Sequence, residues 1–405
     1  MSRTSKTKAL VVAPVETAKP AEQTLKAAAA DDLIARYHPS VRPALQRLVQ
    51  SPRFADVARV FPAIAYTLAA RHGSIAQRRK ALALIEAGVE IKDAARTLAL
   101  PMWLRRLPPE AFVGHDISYP RAELFARRIT NHMPATAVES AAWLRCVSFG
   151  NEACNEFFAV WLAQQNIFHS SSDPVRLLAA LSAYAWFSTA EATRAHGLVV
   201  VPWRPELAFD TAVCAAKCWL NRVRLSIQLR EGVLADPWLQ QGEAMGCTFI
   251  PLLESQEILA EAKAMQNCAD QYADRLARDK CRLFSVRRRG QRVATLEIGP
   301  HVRETGILTV TQLKARHNMP SSVDVWQAAH AWLSQQPLLR RTALSSVPER
   351  PLDPDLWQSM MLPYRLAKSG ATWLPDQITA TGFQALDQGI ADLARRGGVS
   401  SWLFT

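Results

Sequence analysis

The sequence predicts an α+β protein: a mostly helical N-terminal unit, then a small helix-three-strand-helix antiparallel module, then a C-terminal extension. Three observations lead there. Glycine is scarce, 16 of 405 residues against an average near ~7%, and that scarcity disfavours a loop-rich sandwich. From Asp31 to about Ile250, apolar residues recur every three or four positions, the period of an amphipathic helix. After Cys281 the period shortens to two, as in a strand with one wet and one dry face.

Composition bounds the class. With 49% hydrophobic and 21% charged residues, a disordered chain and a collagen-like repeat are excluded. The length suits two or three domains. The formal net charge of +12 points toward anionic partners without identifying one.

Residues 1–30 form the first expected segment, a flexible basic tail with Arg3, Lys6, Lys8, Lys19, two prolines and an alanine run. Its apolar stretch Ala9 to Val15 is short and ends at Pro14 and Glu16, unlike a signal peptide with its cleavage site. No apolar run approaches the ~18–20 residues that span a bilayer. A cytoplasmic protein with no membrane partner is therefore expected. Residues 31–250 are expected to be a helical domain, in which Trp103, Trp143, Trp161, Trp186, Trp203, Trp219 and Trp238 fall in or beside apolar segments. They suit core anchoring better than base stacking. Inside this domain, the segment from Arg78 to Gly88 and the segment from Ile91 to Leu98 have the spacing of a helix-turn-helix. Any αα-hairpin has it too.

The module is placed at 251–340. Glu254 to Asp279 is expected to be one long helix, with Ile258, Ala262, Met265, Ala269, Tyr272 and Leu276 on its buried stripe. Phe284 and Val286 alternate with Ser285 and Arg287, Gly290 marks a turn, and Ala294, Leu296 and Ile298 alternate with Thr295 and Glu297. Leu308 to Thr311 supplies a third strand. A closing helix starts near Ser321-Ser322 with Val323, Trp326 and Leu333 inward. Residues 341–405 are assigned to the extension, with Gln377 to Arg396 as one or two short helices.

The seven cysteines are odd in number and contain no C-x-x-C pair, which predicts reduced thiols. Cys214 and Cys218 share a helix face, but no second ligand pair follows, so neither a metal nor another cofactor is expected.

Period two aims Ser285, Arg287, Thr295, Glu297, Thr309 and Thr311 at one face. Two readings stand open: a solvated face carrying an Arg287–Glu297 ion pair, or a polar floor that binds phosphate, sugar or a base. Gln312 shares the parity of Leu308 and Val310, which points its amide to the dry side, where it would need partners. Cys268, Tyr272, Gln312 and Asn318 would then cluster, either as a core hydrogen-bond network or as a pocket. With Arg287 and Glu297 they are the candidates for chemistry. Charge adds a second feature. Eight basic residues lie between Arg275 and Arg292, against the single acid Asp279. Arg282, Arg287, Arg288, Arg289 and Arg292, with Lys314 and Arg316, are the candidate contacts to nucleic-acid phosphates.

Four ordered blocks, Met265-Gln266-Asn267-Cys268-Ala269-Asp270-Gln271-Tyr272, Leu283-Phe284-Ser285-Val286-Arg287, Ala294-Thr295-Leu296-Glu297-Ile298 and Gln312-Leu313-Lys314-Ala315-Arg316-His317-Asn318, resemble the PcfJ-like family over about residues 250–335. Asn267 stands in the place of that family's histidine, and Ala315 or Arg316 in the place of its glycine. The resemblance implies an association with plasmids, conjugative elements or phages. The leading expectation is a nucleic-acid-associated accessory protein of a mobile element that touches DNA or RNA through a basic hairpin. Its rivals are a nuclease or nucleotide-transfer enzyme centred on the polar residues, and a protein-interaction scaffold.

Overall fold

The computed structural model describes residues 30–113, 118–129, 131–170, 173–229, 234, 236–304, 306–337, 351–368 and 370–400. All but the last position of the expected 1–30 tail lies outside the described residues. The chain divides into two compact units, Met1–Ile117 with Pro134–Leu144, and Ser118–Met133 with Arg145–Thr405. The α+β module and the C-terminal helices thus fall in one unit with residues 145–250.

In the first unit, proline opens three helices: α1 (Arg42–Leu48), α2 (Pro52–Val60) and α3 (Pro62–Ala69). The fixed proline φ suits a first turn, where the missing N–H has no intrahelical partner to lose. Every residue of α3 is buried. Next come α4 (Ile75–Glu86), started by a Ser74–Gln77 capping box, and α5 (Ile91–Thr97). These two are the helix pair that the sequence offered as a helix-turn-helix. On α5, Arg96 is paired with Asp93 at 3.0 Å, and Lys92 with Glu90 just before the helix at 2.5 Å. The face therefore carries balanced rather than cationic charge.

The helical core of the second unit gathers α6 (Glu156–Ala163), α7 (Pro174–Phe187), α8 (Phe209–Gln228), α12 (Pro354–Ala367) and α13 (Ala380–Arg396). Its tryptophans are anchors. Trp161 and Trp219 are buried and donate their indole N–H to the carbonyls of Leu207 and Ala195 at 2.8 and 3.0 Å, which removes the cost of burying a polar edge. Expected as one or two short helices, Gln377 to Arg396 forms the single helix α13 from Ala380. It seats on α7 at Gly389, whose missing Cβ lets the carbonyl of Arg176 approach. Beside that contact Arg176 meets Asp392 at 2.5 Å.

Between α8 and α12 lies the module: β1 (Gly242–Ala244), β2 (Cys247–Pro251), α9 (Ser255–Met265), α10 (Ala273–Ala277), β3 (Arg282–Arg288), β4 (Gln291–Pro300), β5 (Leu308–Lys314) and α11 (Val323–Ser334). The sheet is antiparallel throughout, with strands in chain order β1-β2-β3-β4-β5. The three expected strands are β3 to β5. Two more, β1 and β2, precede them, joined through left-handed Met245 and Gly246. β1, with three residues, is too short to display alternation, whereas the five-residue β2 buries Cys247 and Phe249 in alternation. Phe249, Phe284, Val286, Ala294, Leu296 and Ile298 make the dry face under α11, where Phe249 stacks on Trp332 at 4.6 Å. Val325, Ala328, Ala329, Trp332 and Leu333 are the buried side of α11. Val323, expected inward, is 73% exposed at the first helical position.

The expected long helix over Glu254 to Asp279 is broken. Gln266 adopts φ 49° and ends α9; a 3₁₀ turn at Ala269–Gln271 and then α10 follow. Its stripe survives the break, since Ile258, Ala262, Met265, Ala269 and Leu276 are all buried.

The wet face is solvated toward its β5 edge, where Gln312 is exposed. α9 and α10 cover its centre, so that Ser285, Thr295 and Glu297 are buried. Period two specifies two faces and leaves open whether a second helix layer covers the polar one.

Two stability predictions follow from this packing. Gly389→Ala should lower unfolding free energy by about 1–3 kcal/mol, seen as a lower urea midpoint; an unchanged midpoint would show that α7 and α13 separate easily. Burial pushes the thiols of Cys154 and Cys281 up to about 12 from an ordinary 9.0. A raised folded pKa gives stability that is complete below the unfolded value and lost as pH rises through the folded one. The urea midpoint should therefore hold up to about pH 9 and fall toward about pH 12, and less steeply in Cys281→Ala.

Candidate functional site

The polar face of the sheet holds two buried carboxylates, each tied to an arginine. Glu297, only 2% exposed, accepts from the Tyr272 hydroxyl at 2.9 Å and from Arg275 Nη1 at 3.0 Å, while Arg275 Nη2 donates to its other oxygen. The Arg275 guanidinium also lies 5.2 Å from the centroid of the Tyr272 ring. Glu261, on α9 and fully buried, accepts from Arg292 Nε at 2.8 Å and from Thr295 Oγ1 at 2.9 Å. Thr295 in turn accepts from Asn267 Nδ2 at 2.7 Å. Every buried charge here has a cation and further donors, as a low-dielectric setting requires.

A β-bulge decides where Gln312 points. Leu308, Thr309 and Val310 pair with Pro300, Gly299 and Ile298, but Gln312 pairs with Glu297, so Thr311 is the extra residue. One inserted residue swaps the faces of all that follow. Leu313 thereby joins the dry face beside Leu296, and Gln312 and Lys314 turn to the polar one. Gln312 is exposed, not buried on the dry side as parity predicted, and its Oε1 lies 3.5 Å from the Tyr272 hydroxyl.

The expected cluster does assemble. Cys268 and Tyr272 arrive by the 3₁₀ turn rather than by one helix face. Asn318 arrives from the turn after β5, and its Oδ1 accepts from Cys268 N at 3.4 Å and from Cys268 Sγ at 3.5 Å. Tyr272, Glu297, Gln312, Asn318 and Cys268 line one crevice of about 20 Å³, room for about one water. Asn267, Cys268 and Asn318 also line a neighbouring cleft of about 580 Å³ between α8 and the module.

Arg287 does not line the crevice. It pairs with Arg292 in register and donates to Ser285 Oγ at 3.4 Å, while Glu297 sits opposite Leu283. The Arg287–Glu297 ion pair expected on an exposed face is thus replaced by Arg275–Glu297 beneath the helices.

Burial pushes the Cys268 thiol up, and burial with the Glu297 charge pushes the Tyr272 phenol far up. Both are protonated near neutral pH. Cys268 meets an amide oxygen that takes no proton, so the pair lacks the base a thiolate nucleophile needs. The network is built to donate and accept hydrogen bonds. Among the described residues, no group of three or more His, Cys, Asp or Glu side chains has metal-holding geometry, and no helix is long and apolar enough to cross a membrane.

Of the eight basic residues from Arg275 to Arg292, five hold carboxylates: Arg275 with Glu297, Arg278 with Asp274 at 3.1 Å, Arg282 with Asp279 at 2.6 Å, Arg288 with Asp324 at 2.7 Å, and Arg292 with Glu261. Arg282 is 2% exposed and lies 4.5 Å from the centroid of the Trp238 ring. It belongs to the interior and is unavailable to phosphates, contrary to its place among the expected contacts. Lys280, Arg287 and Arg289 have no carboxylate within 4.0 Å among the described residues. Arg289 and Gly290 make the β3–β4 turn with φ 51° and 78°, the left-handed pair of a tight hairpin. On the side of β5, Lys314 and Arg316 are also unpaired among the described residues.

Protein-family models, curated proteins and solved structures yield no match to this chain.

Sequence reasoning missed Glu261 and the role of Arg275. Glu261 carried a signal: it lies three residues after Ile258 and four before Met265, an acid on the buried stripe of α9. The two members of the Arg275–Glu297 pair should respond unequally to mutation. Arg275→Met strands a buried carboxylate and should cost about 3–5 kcal/mol. Glu297→Gln leaves a guanidinium that is 43% exposed and can hydrate, at about 1–3 kcal/mol. Chemical denaturation of both variants measures the order, and the reverse order would mean that Glu297 is not the dependent partner.

Proposed function

We propose that this chain is a nucleic-acid-associated accessory protein of a mobile genetic element, of the PcfJ-like kind, that contacts the phosphate backbone of DNA or RNA through its β3–β4 hairpin and the end of β5. One observation carries this reading: the cations Arg287, Arg289, Lys314 and Arg316 stand without carboxylate partners among the described residues, whereas most of the surrounding arginines are engaged. Arg287 and Lys314 are on the same face of the sheet, since Lys314 lies opposite Thr295, which lies opposite Ser285. Arg289 projects from the tip, where a long cationic side chain reaches a phosphate without disturbing the ladder. These are sequence-independent contacts, and they place no demand on the buried Glu297 network.

Binding should be strong at low salt and fall linearly on a log–log plot against salt concentration, because each neutralised phosphate releases counterions. Replacing Arg287 and Arg289 with Gln should reduce the magnitude of that slope by about 2 for duplex DNA. Fluorescence anisotropy with single- and double-stranded DNA and RNA measures it. No binding at low salt, or a slope unmoved by the double variant, would remove the hairpin from the function.

A further inference from the structure

We infer that the cleft of about 580 Å³ beside α8 is a binding site for a mononucleotide, with the base between apolar walls, its polar edge read by carboxamides and its phosphate at Lys263. The volume falls within the range of small-molecule sites. Val199, Val201, Ala215 and Cys218 supply the walls, and Gln266 and Asn318 stand with Lys263 in the lining. Neither carboxamide atom of Gln266 has a partner among the described residues, and the same holds for Asn318 Nδ2, because only Oδ1 is engaged with Cys268. A carboxamide offers a donor and an acceptor side by side, the complement of a base edge. Lys263 is exposed, with no carboxylate within 4.0 Å among the described residues, whereas Arg222 in the same lining is held by Asp270 at 2.6 Å.

Gln266 and Asn318 both hold left-handed conformations, φ 49° and 58°, which side chains other than glycine adopt at a cost. The only two carboxamides in the lining with free hydrogen-bonding atoms, among the described residues, are thus also its two left-handed residues. This assignment goes beyond the hairpin reading and fails separately from it, since it requires no polynucleotide.

The native thiols report on the cleft. Cys214, Cys218 and Cys268 line it and are half-buried; Cys146, Cys154, Cys247 and Cys281 are buried. The full chain is treated with N-ethylmaleimide in the presence of AMP, GMP, CMP or UMP, or of ribose 5-phosphate as control, and alkylation is located by mass spectrometry. At least one mononucleotide should slow modification of Cys214, Cys218 and Cys268 together, and ribose 5-phosphate should not. No protection by any mononucleotide, or equal protection by ribose 5-phosphate, would overturn the assignment. Gln266→Gly deletes the carboxamide while suiting the left-handed backbone, so the fold is retained. It should weaken the protecting nucleotide about tenfold by calorimetry, and an unchanged affinity would likewise overturn it. Lys263→Gln should abolish the preference for the monophosphate over the nucleoside; a preserved preference would remove Lys263 from the site.

Discussion

Two carboxylates that must not be left bare in a low-dielectric interior organise the module. Glu297 on β4 and Glu261 on α9 are buried where the helices cover the sheet, and each is stable there only while a guanidinium and a hydroxyl reach it. Arg275 and Tyr272 anchor α10 and the turn before it through Glu297. Glu261 anchors α9 through Arg292 and Thr295. The ion pairs thus define how the helices lie across the strands, which apolar contact alone would leave freer to slide.

This arrangement changes the meaning of the basic cluster. In the one-dimensional chain, the residues from Arg275 to Arg292 are a run of positive charge with one acid among them. Folding brings Glu297, Asp324 and Glu261 to that run and adds Asp274 from its border. Arg275, Arg282 and Arg292 are tied to buried or nearly buried carboxylates, while Arg278 and Arg288 are held in pairs at the surface. What is left for a partner is a smaller and more localised set at the hairpin tip and beyond β5.

Much of the fold was legible because it rests on short-range periodicity. Phe284, Val286, Ala294, Leu296 and Ile298 declare a dry face by alternation, and α11 declares its own start at Ser322. What stayed illegible depends on single residues that break a period. Gln266 turns left-handed and ends a helix whose apolar stripe runs on beyond it. Thr311 slips into a bulge and reverses the parity of Gln312. The candidate site shows the same division. Cys268, Tyr272, Glu297, Gln312 and Asn318 were identified and do meet, but the partner of Glu297 was misassigned, because cross-strand logic cannot see a helix laid over the face. β1 is too short to show a period, and β2, whose buried Cys247 and Phe249 do alternate, was absorbed into the helical reading of residues 31–250.

The contact at Gly389 has a bearing on how the protein is made. α13 completes the core against α7, and the Arg176–Asp392 pair joins residues 216 positions apart. During synthesis, α7 leaves the ribosome with its face for α13 uncovered. It stays so while the whole sheet module is translated. Apolar surface waiting that long is a target for chaperones and a hazard for self-association, and the helical core closes only after the module between its two halves has had time to fold.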